Sequence, residues 1–301
     1  MFQQLEPRLQ LAVTPQLIDL KTGIGSSMVT EKPEFVAVGG QVIFIARVDS
    51  GDTLFSSDGT VGGTNVIKNR DMDLSGARFF LPFGERQLFT GNDTNTSVAP
   101  RFGPELWVTN GTTAGTVPVA DIRIGPAGSQ AIPLGVVGNV ALLTADDGAS
   151  GTELWKSDGT SQGTTFVKDI NPGPNSSLTN FLKSKQAVVG TTLFFSADDG
   201  EHGVELWKSD GTAEGTVLVK DIFPGTQGSF PSDLIVVGET LFFVAEDPVV
   251  GKELWKSDGT TAGTVVVRDI LPGAESSRVT QPVVFGGAVF FAASDGVGGR
   301  E

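Results

Sequence analysis

The sequence predicts an all-β protein, a six-bladed β-propeller of four-stranded antiparallel blades. Its clearest signal is the motif Glu-Leu-Trp-Lys-Ser-Asp-Gly-Thr, which occurs unchanged at 153–160, 205–212 and 253–260 and in a close copy at 105–112. Each copy is followed by Gly-Thr, a β-branched run and an aspartate. A fixed period of this size indicates a repeat architecture, and four-stranded units of roughly 40 to 50 residues are typical of propeller blades.

The number of units follows from the aspartate that ends each β-branched run. Intervals of 52, 50, 48, 52 and 48 residues separate these anchor aspartates, which are Asp19, Asp71, Asp121, Asp169, Asp221 and Asp269. Six units therefore fit into the 301 residues.

One unit, residues 222–269, shows the elements in order. Short runs rich in Val, Leu, Phe and Thr are bounded by Gly, Pro or Asp, which predicts strands joined by turns and no helix. The second run is apolar at consecutive positions, so both of its faces should be covered by neighbouring blades. The predicted strands a, b, c and d are Leu234 to Val237, Thr240 to Ala245, Glu253 to Ser257 and Thr264 to Asp269.

The two ends of the chain suggest a closed ring. The last unit supplies strands a and b, at Pro282 to Val284 and Ala288 to Ala292, and Glu301 begins a c strand. Residues Gln16 to Asp19 resemble a d strand, so pairing of the termini would complete one blade and remove exposed edges. Its c strand is either Arg8 to Val13 or a continuation beyond Glu301. We therefore predict an N-terminal segment, 1–14, and one propeller domain, 15–301.

Composition narrows the classes of function. The chain is 39% apolar with a mean hydropathy of +0.06, and no apolar run of signal-peptide length follows Met1. A net charge of −14 argues against nucleic acid and anionic lipid as partners, and no membrane insertion is expected. There is no cysteine, and the single histidine, His202, is expected to be solvent-exposed. A serine triad or a histidine metal centre is therefore not predicted.

Aromatic residues occupy one fixed position in the repeat. Phe55 takes this position in the first unit, and tryptophan takes it at Trp107, Trp155, Trp207 and Trp255. An aromatic residue fixed in every blade indicates core packing and not a ligand platform.

Acidic residues recur in the loops that should converge on one rim. Oxygen ligands on such loops suit calcium, and the candidate ligands are Asp147, Asp199, Asp247 and Asp295. The alternative is that these aspartates cap tight turns, while the anchor aspartates fix the crossover between blades. Under the same alternative, hydrogen bonds within or between blades engage Glu105, Glu153, Glu205 and Glu253.

No catalytic residue is predicted. A glycosidase needs two carboxylates in different environments, and near-identical blades supply near-identical ones. Catalysis would more plausibly arise where a blade departs from the repeat, at Arg70 to Arg86 or in the insertion Gly91 to Pro104. The insertion has no base or nucleophile constellation, which favours an exposed loop.

The repeated motif resembles the ELWxxDGT repeat family of bacterial exported and surface proteins, from Gln16 onward. A second segment, Leu5 to Leu11, resembles the Leu-Glu-Pro-Arg-x-Leu-Leu motif near the start of some large bacterial exoproteins and departs from it at Gln10. Both resemblances imply an extracellular or cell-surface location.

The leading functional prediction is a non-catalytic extracellular module for binding or adhesion, whose rim contacts a glycan, a protein or another copy of itself, with possible support from calcium. One alternative is a purely structural repeat of a large surface protein. The other is an enzyme, a hydrolase or lyase that acts on polysaccharide.

Overall fold

The computed structural model describes residues 35–48, 51–67, 77–92, 103–178 and 186–299. Several predictions fall elsewhere in the chain. The N-terminal segment 1–14, the Gln16 to Asp19 strand, Asp71, most of the insertion after Gly91, and Glu301 all lie outside the described residues.

The described residues form strands and no helices, which confirms the all-β prediction. Accordingly, none of them lies in a helix long and apolar enough to cross a membrane. The first three sheets contain β1 (Phe35–Val38), β2 (Gln41–Val48), β3 (Gly51–Ser57) and β4 (Asn65–Val66); β5 (Arg78–Phe83), β6 (Arg86–Asn92), β7 (Pro104–Thr109) and β8 (Val117–Ala120); and β9 (Ile132–Val137), β10 (Val140–Asp146), β11 (Thr152–Ser157) and β12 (Thr165–Lys168).

Three further sheets follow along the chain. They contain β13 (Gln186–Val189), β14 (Thr192–Asp198), β15 (Val204–Ser209) and β16 (Val217–Lys220); β17 (Ser232–Val237), β18 (Thr240–Asp247), β19 (Gly251–Ser257) and β20 (Val265–Val266); and β21 (Thr280–Phe285) with β22 (Ala288–Ala292). Five sheets thus have four strands and the sixth has two.

Strands lie side by side in chain order, and every neighbouring pair is antiparallel. The predicted order a, b, c, d is therefore confirmed. The d strand of the fifth sheet is shorter than predicted, because regular pairing with β19 stops at Val266. Beyond it the backbone bulges, and the amide of Val267 donates to the carbonyl of Leu254 at 2.8 Å.

The apolar core lies between consecutive sheets. Phe194 and Phe195 are adjacent in β14 and point to opposite faces, as strand geometry requires. Phe195 packs with Leu142 and Leu154 of the third sheet, whereas Phe194 packs with residues of the fifth sheet that include Phe243. This confirms the prediction for β14, whereas the b strand of the sixth sheet, β22, leaves Phe290 55% exposed on one face.

The first strands of the second to sixth sheets contact one another in sequence, since β9 contacts β5 and β13, and β17 contacts β13 and β21. Sheets that touch through their first strands and enclose apolar layers between them give a propeller-like fold.

The motif Ser-Asp-Gly-Thr builds the turn from strand c to strand d. In the third sheet the amide and hydroxyl of Thr160 donate to Asp158 Oδ1 at 2.9 and 2.6 Å, and Gly159 has a φ of +84°. A Cβ at Gly163 would lie 2.0 Å from Asp158 Oδ1. Because the side chain of Asp158 fills the turn, the glycine that follows the motif is also required.

Candidate functional site

The acidic rim is the end of the sheets where the b to c loops meet the crossovers between sheets. Backbone hydrogen bonds join the two there. The amide of Asp146 donates to the carbonyl of Ser129 at 2.9 Å, and the amide of Glu246 donates to Ser229 in the same way. In the third to sixth sheets, the end of the b strand is thus tied to the crossover that precedes the sheet.

A buried glutamate at the start of each full motif holds the next crossover. Glu153 is fully buried, and its Oε1 accepts the amide of Ser177 at 2.8 Å. Its Oε2 accepts the Ser177 hydroxyl at 2.6 Å and the amide of Ile170 at 2.8 Å. One carboxyl group therefore closes the loop from the d strand of one sheet to the a strand of the next.

This Glu–Ser lock recurs with a separation of 24 residues in four sheets. Its members are Glu105 with Ser129, Glu153 with Ser177, Glu205 with Ser229 and Glu253 with Ser277. In the first sheet Thr53 takes the position of the glutamate and is also buried. The prediction that these glutamates bond within or between blades is confirmed.

The pKa of each lock glutamate is set mainly by its burial. Desolvation raises the pKa of all four glutamates, although the hydrogen bonds from serine and backbone act in the opposite direction. For Glu153 the pKa rises to about 7, with the charge of nearby Asp169 as a smaller cause. A carboxyl group that titrates near neutral pH is often catalytic, but here each oxygen is already engaged by the lock.

The four aspartates predicted as calcium ligands cap their own loops. Asp147 Oδ1 accepts the amides of Ala149 and Ser150, both at 2.8 Å. Asp247 and Asp295 accept the amides two and three residues further on in the same way. Their carboxylates thus satisfy loop amides, as the turn-capping alternative expects.

Hydrogen bonds from the loops lower the pKa of three of these aspartates, Asp147, Asp199 and Asp295. Burial opposes ionisation of Asp147 and Asp199, yet their loop hydrogen bonds together hold the pKa of each below its usual value. Backbone amides, from Gly298 foremost, lower the pKa of Asp295. Within the described part of the chain, no three acidic or histidine side chains gather as a metal site. Calcium at the rim stays a prediction.

Two of the anchor aspartates bond within the crossover. Asp169 Oδ2 accepts the amide of Gly173, and Asp269 Oδ2 that of Gly273, each at 3.3 Å. A second feature is shared by four anchor aspartates, namely a buried Oδ1 that accepts no hydrogen bond from the described residues; they are Asp121, Asp169, Asp221 and Asp269. The lock glutamates thus accept more hydrogen bonds from the crossovers than the anchor aspartates do, although the sequence predicted this role for the aspartates.

His202 is not simply solvent-exposed, so that prediction is wrong. Its Nδ1 lies 2.8 Å from Asp199 Oδ2, and its side chain is only partly exposed. The hydrogen bond to the Asp199 carboxylate raises the pKa of the imidazole. Asp199 also accepts the amides of Glu201 and His202, so the pair stabilises one b to c loop.

The tryptophans belong to the core, as predicted. Trp107, Trp207 and Trp255 are buried and Trp155 is half-buried. Each indole N–H is buried and donates to no acceptor among the described residues. The indole rings therefore contribute to the core through their size and shape and not through a hydrogen bond to the described residues.

Comparison with known proteins adds a likeness in fold. No protein-family model matches the sequence, and no curated protein matches it. A puromycin-hydrolysing peptidase of Mycobacterium tuberculosis is similar in structure, with a TM-score of 0.50 and 14% identity over 86% of this chain and 41% of that chain. Another puromycin hydrolase gives 0.49 and 16% over 86% and 42%, and a prolyl endopeptidase gives 0.46 and 10% over 89% and 41%.

The likeness to the mycobacterial structure corrects the functional prediction. That structure is a peptidase, and the chain spans about two fifths of its length. The prediction of an extracellular binding or adhesion module is therefore wrong, together with its alternatives of a surface-protein repeat and a polysaccharide-acting enzyme. The ELWxxDGT and exoprotein resemblances, and the location they imply, stay predictions.

Proposed function

We propose that this chain is a propeller domain that serves as the non-catalytic part of a larger peptidase-type protein or complex. The observation that carries this proposal is the extent of the fold likeness, which takes in 86% of this chain but 41% of the mycobacterial peptidase. A domain that matches only part of an enzyme is suited to shape access to a catalytic domain that lies elsewhere.

The chemistry of the rim supports this role. The lock serines donate their hydroxyl protons to buried carboxylates, and His202 is held by Asp199. A nucleophilic serine needs a base that accepts its proton and a third group that orients that base. The described residues use these groups for structure instead, and the proposal therefore assigns the catalytic residues to another domain.

Peptide hydrolysis by the purified chain tests the proposal. We expect no turnover of aminoacyl or prolyl p-nitroanilides by the 301 residues alone. Turnover should appear when the chain is produced together with its natural flanking sequence or its co-purifying partner. Hydrolysis by the isolated chain that survives removal of contaminating proteases would contradict a non-catalytic role, as would a natural assembly with no hydrolase in it.

We further propose that the six sheets close into a six-bladed ring. In the second sheet, Phe89 and Trp107 form the face that packs against the first sheet. The same face of the first sheet carries Phe44 and Phe55, whose ring centroids lie 5.7 Å apart, with Phe35 beside Phe44 at 5.6 Å. This aromatic face is equipped to pack against a preceding sheet.

The sixth sheet carries the complementary face. By the alignment of their Gly-Gly turns, Phe285 and Phe290 stand where the first sheet has Val38 and Ile43, which pack against the second sheet. Phe285 is 76% exposed and Phe290 55%. Burial of each phenylalanine would contribute roughly 1.5 to 3 kcal/mol, which favours closure.

The proposed closing strands are Arg8 to Val13, which would pair with β22 as strand c, and Gln16 to Asp19, which would follow it as strand d. Hydrogen–deuterium exchange at the amides of β22 should be slow in the full chain and faster in a chain that starts at residue 21. Exchange in β6 provides the internal control, since both of its edges are already paired. Equal exchange at β22 in the two chains would exclude closure through the N-terminal strands.

A further inference from the structure

A cavity of about 650 Å³ lies at the end of the sheets opposite the acidic rim. It opens where the a to b and c to d turns of the second sheet meet the a to b turn of the third. The residues that matter for its chemistry are Phe83, Glu85, Arg86, Asn110, Val136 and Asn139. Its volume falls within the roughly 300 to 1,000 Å³ of small-molecule sites.

The cavity lies beside two positions at which the charge differs from that of the aligned residues in the other sheets. Arg86 starts a b strand, and the other five sheets have an uncharged residue in that position: Gln41, Val140, Thr192, Thr240 and Ala288. Asn110 stands in the c to d turn where the other four-stranded sheets have Asp58, Asp158, Asp210 and Asp258. Arg86 adds a positive charge and Asn110 removes a negative one, while Glu85 adds a negative charge at a turn position that is uncharged in every other sheet except the fifth. This place is therefore one charge more positive than in most of the other sheets.

The donors in this cavity make no hydrogen bond to the described residues that would satisfy them, although Arg86 already interacts with the fold. Its guanidinium carbon lies 5.9 Å from the Phe83 ring centroid, and hydrogen bonds from Thr160, to which the charge of Arg86 adds, lower the pKa of Asp158. Among the described residues, no carboxylate lies within ion-pair distance of the guanidinium. Asn110 Oδ1 accepts the amide and hydroxyl of Thr112, whereas its Nδ2 has no acceptor in the described part of the chain.

These groups select a ligand of definite chemistry. A guanidinium presents paired N–H donors that fit the two oxygens of a carboxylate. The exposed carboxylate of Glu85, next to Arg86, offers a partner for an ammonium group. Phe83 and Val136 add apolar surface for a side chain between the charged ends.

We propose that this cavity binds a zwitterion of amino-acid to dipeptide size. Its carboxylate lies against Arg86 and the amides of Asn110 and Asn139, and its ammonium group lies against Glu85. The inference goes beyond the accessory-domain role and does not rest on it, because every group involved belongs to this cavity.

Calorimetric titration of the 301-residue chain with the dipeptide Gly-Leu tests the assignment. We expect saturable one-site binding, weakened at least about tenfold when the dipeptide carries a C-terminal amide, since the charged hydrogen bonds to Arg86 are then lost. The variant Arg86→Thr should weaken binding about 10- to 100-fold.

The repeat supplies the controls. Thr192 and Thr240 already occupy the position of Arg86, so Arg86→Thr is compatible with the blade. Arg268→Thr, at an exposed arginine in another sheet, should bind Gly-Leu like the unchanged chain. Asn110→Asp restores the residue of the other sheets and should weaken binding by placing a second carboxylate near the ligand.

Three results would overturn the proposal. They are the absence of saturable binding up to about 10 mM Gly-Leu, equal affinity for the dipeptide and its amide, and unchanged affinity in both Arg86→Thr and Asn110→Asp. If Arg86→Thr loses its cooperative thermal transition, Asn110→Asp decides by itself, because its aspartate is native to the other turns.

Discussion

The fifth and sixth sheets have nearly the same b strand but bury it differently. Leu241 and Phe243 of β18 are fully buried, whereas their counterparts in β22, Val289 and Phe291, are only partly buried. Phe242 is half-buried, and its counterpart Phe290 is 55% exposed. The difference shows that an apolar b strand does not make a core; a neighbouring sheet on each side does.

The packing partners account for this difference. Phe243 contacts a core shared with the fourth sheet, and Val244 on the other face packs with Val289 and Phe291 of the sixth. The sixth sheet packs on the fifth through one face and leaves Phe285 and Phe290 on the other.

Phenylalanine truncation gives the largest expected effect and tests this comparison most directly. Phe243→Ala should lower the free energy of unfolding by about 3 to 5 kcal/mol, because it opens a cavity between two sheets. If the ring closes as proposed, Phe285→Ala should cost about 2 kcal/mol or more. Urea unfolding measures both, and a cost below about 0.5 kcal/mol for Phe285→Ala would leave the sixth sheet open.

The lock gives the next largest effect and contrasts the sheets that contain a lock glutamate with the first sheet, which has Thr53 at that position. Glu205→Ala leaves the amide and hydroxyl of Ser229 buried without their acceptor, and should cost about 2 to 4 kcal/mol. Thr53→Ala, at the same position of the first sheet, should cost about 1 kcal/mol, since a hydroxyl and not a charged acceptor is lost. Similar costs in thermal or urea unfolding would show that the lock adds nothing over a neutral residue.

Proton binding by the lock predicts a pH dependence. Glu153 has a pKa of about 7 in the folded protein against 4.5 as its ordinary value, so the folded state binds this proton more tightly than the unfolded state. The free energy of unfolding should therefore fall as pH rises from about 4.5 to about 7, by up to about 3 kcal/mol, and then level off.

Urea unfolding between pH 4.5 and 8 measures this slope. Glu153→Gln should flatten the part of the slope that this residue contributes. Glu239→Gln, in an exposed a to b turn, should leave the slope as it is. A slope that survives Glu153→Gln unchanged would assign the pH dependence to other groups, the remaining three lock glutamates first.

Backbone strain next to the lock gives the smallest effect. The residues that follow three of the four lock serines adopt positive φ; they are Gln130, Phe230 and Arg278, with values of +53°, +50° and +57°. Phe230 is about half exposed, so Phe230→Gly should raise the free energy of unfolding by roughly 0.5 to 1 kcal/mol. A loss of stability in thermal unfolding would mean that the phenyl ring contributes more than the strain costs.

The strands could be predicted from the sequence because the repeated motif contains the residues that form the turns between them. Asp158 and Gly159 give the c to d turn a local cause, and the same residues recur at 210 and 211 and at 258 and 259. The predicted d strand of the fifth sheet is too long, because the end of regular pairing at Val266 depends on β19 and not on local propensity.

The partner of each buried glutamate could not be identified from local pattern. Ser177 lies 24 residues after Glu153 and in the next crossover, so the contact belongs to the fold. Its constant separation in four units was a usable signal, as was the serine that recurs at this place in each of these crossovers. For the cavity beside Arg86 the sequence offered one weak indication, which is that Arg86 is the last residue of a segment that departs from the repeat.

The sequence by itself determined the all-β class, the period, the strand order and the turns, because each depends on residues close together in the chain. The tertiary structure decided which carboxylates bond to which crossovers, that the rim aspartates satisfy loop amides, and that Arg86 and Asn110 leave free donors around one cavity. These features join residues of different strands or sheets, and burial, which raises the pKa of Glu153, exists only after the sheets have packed.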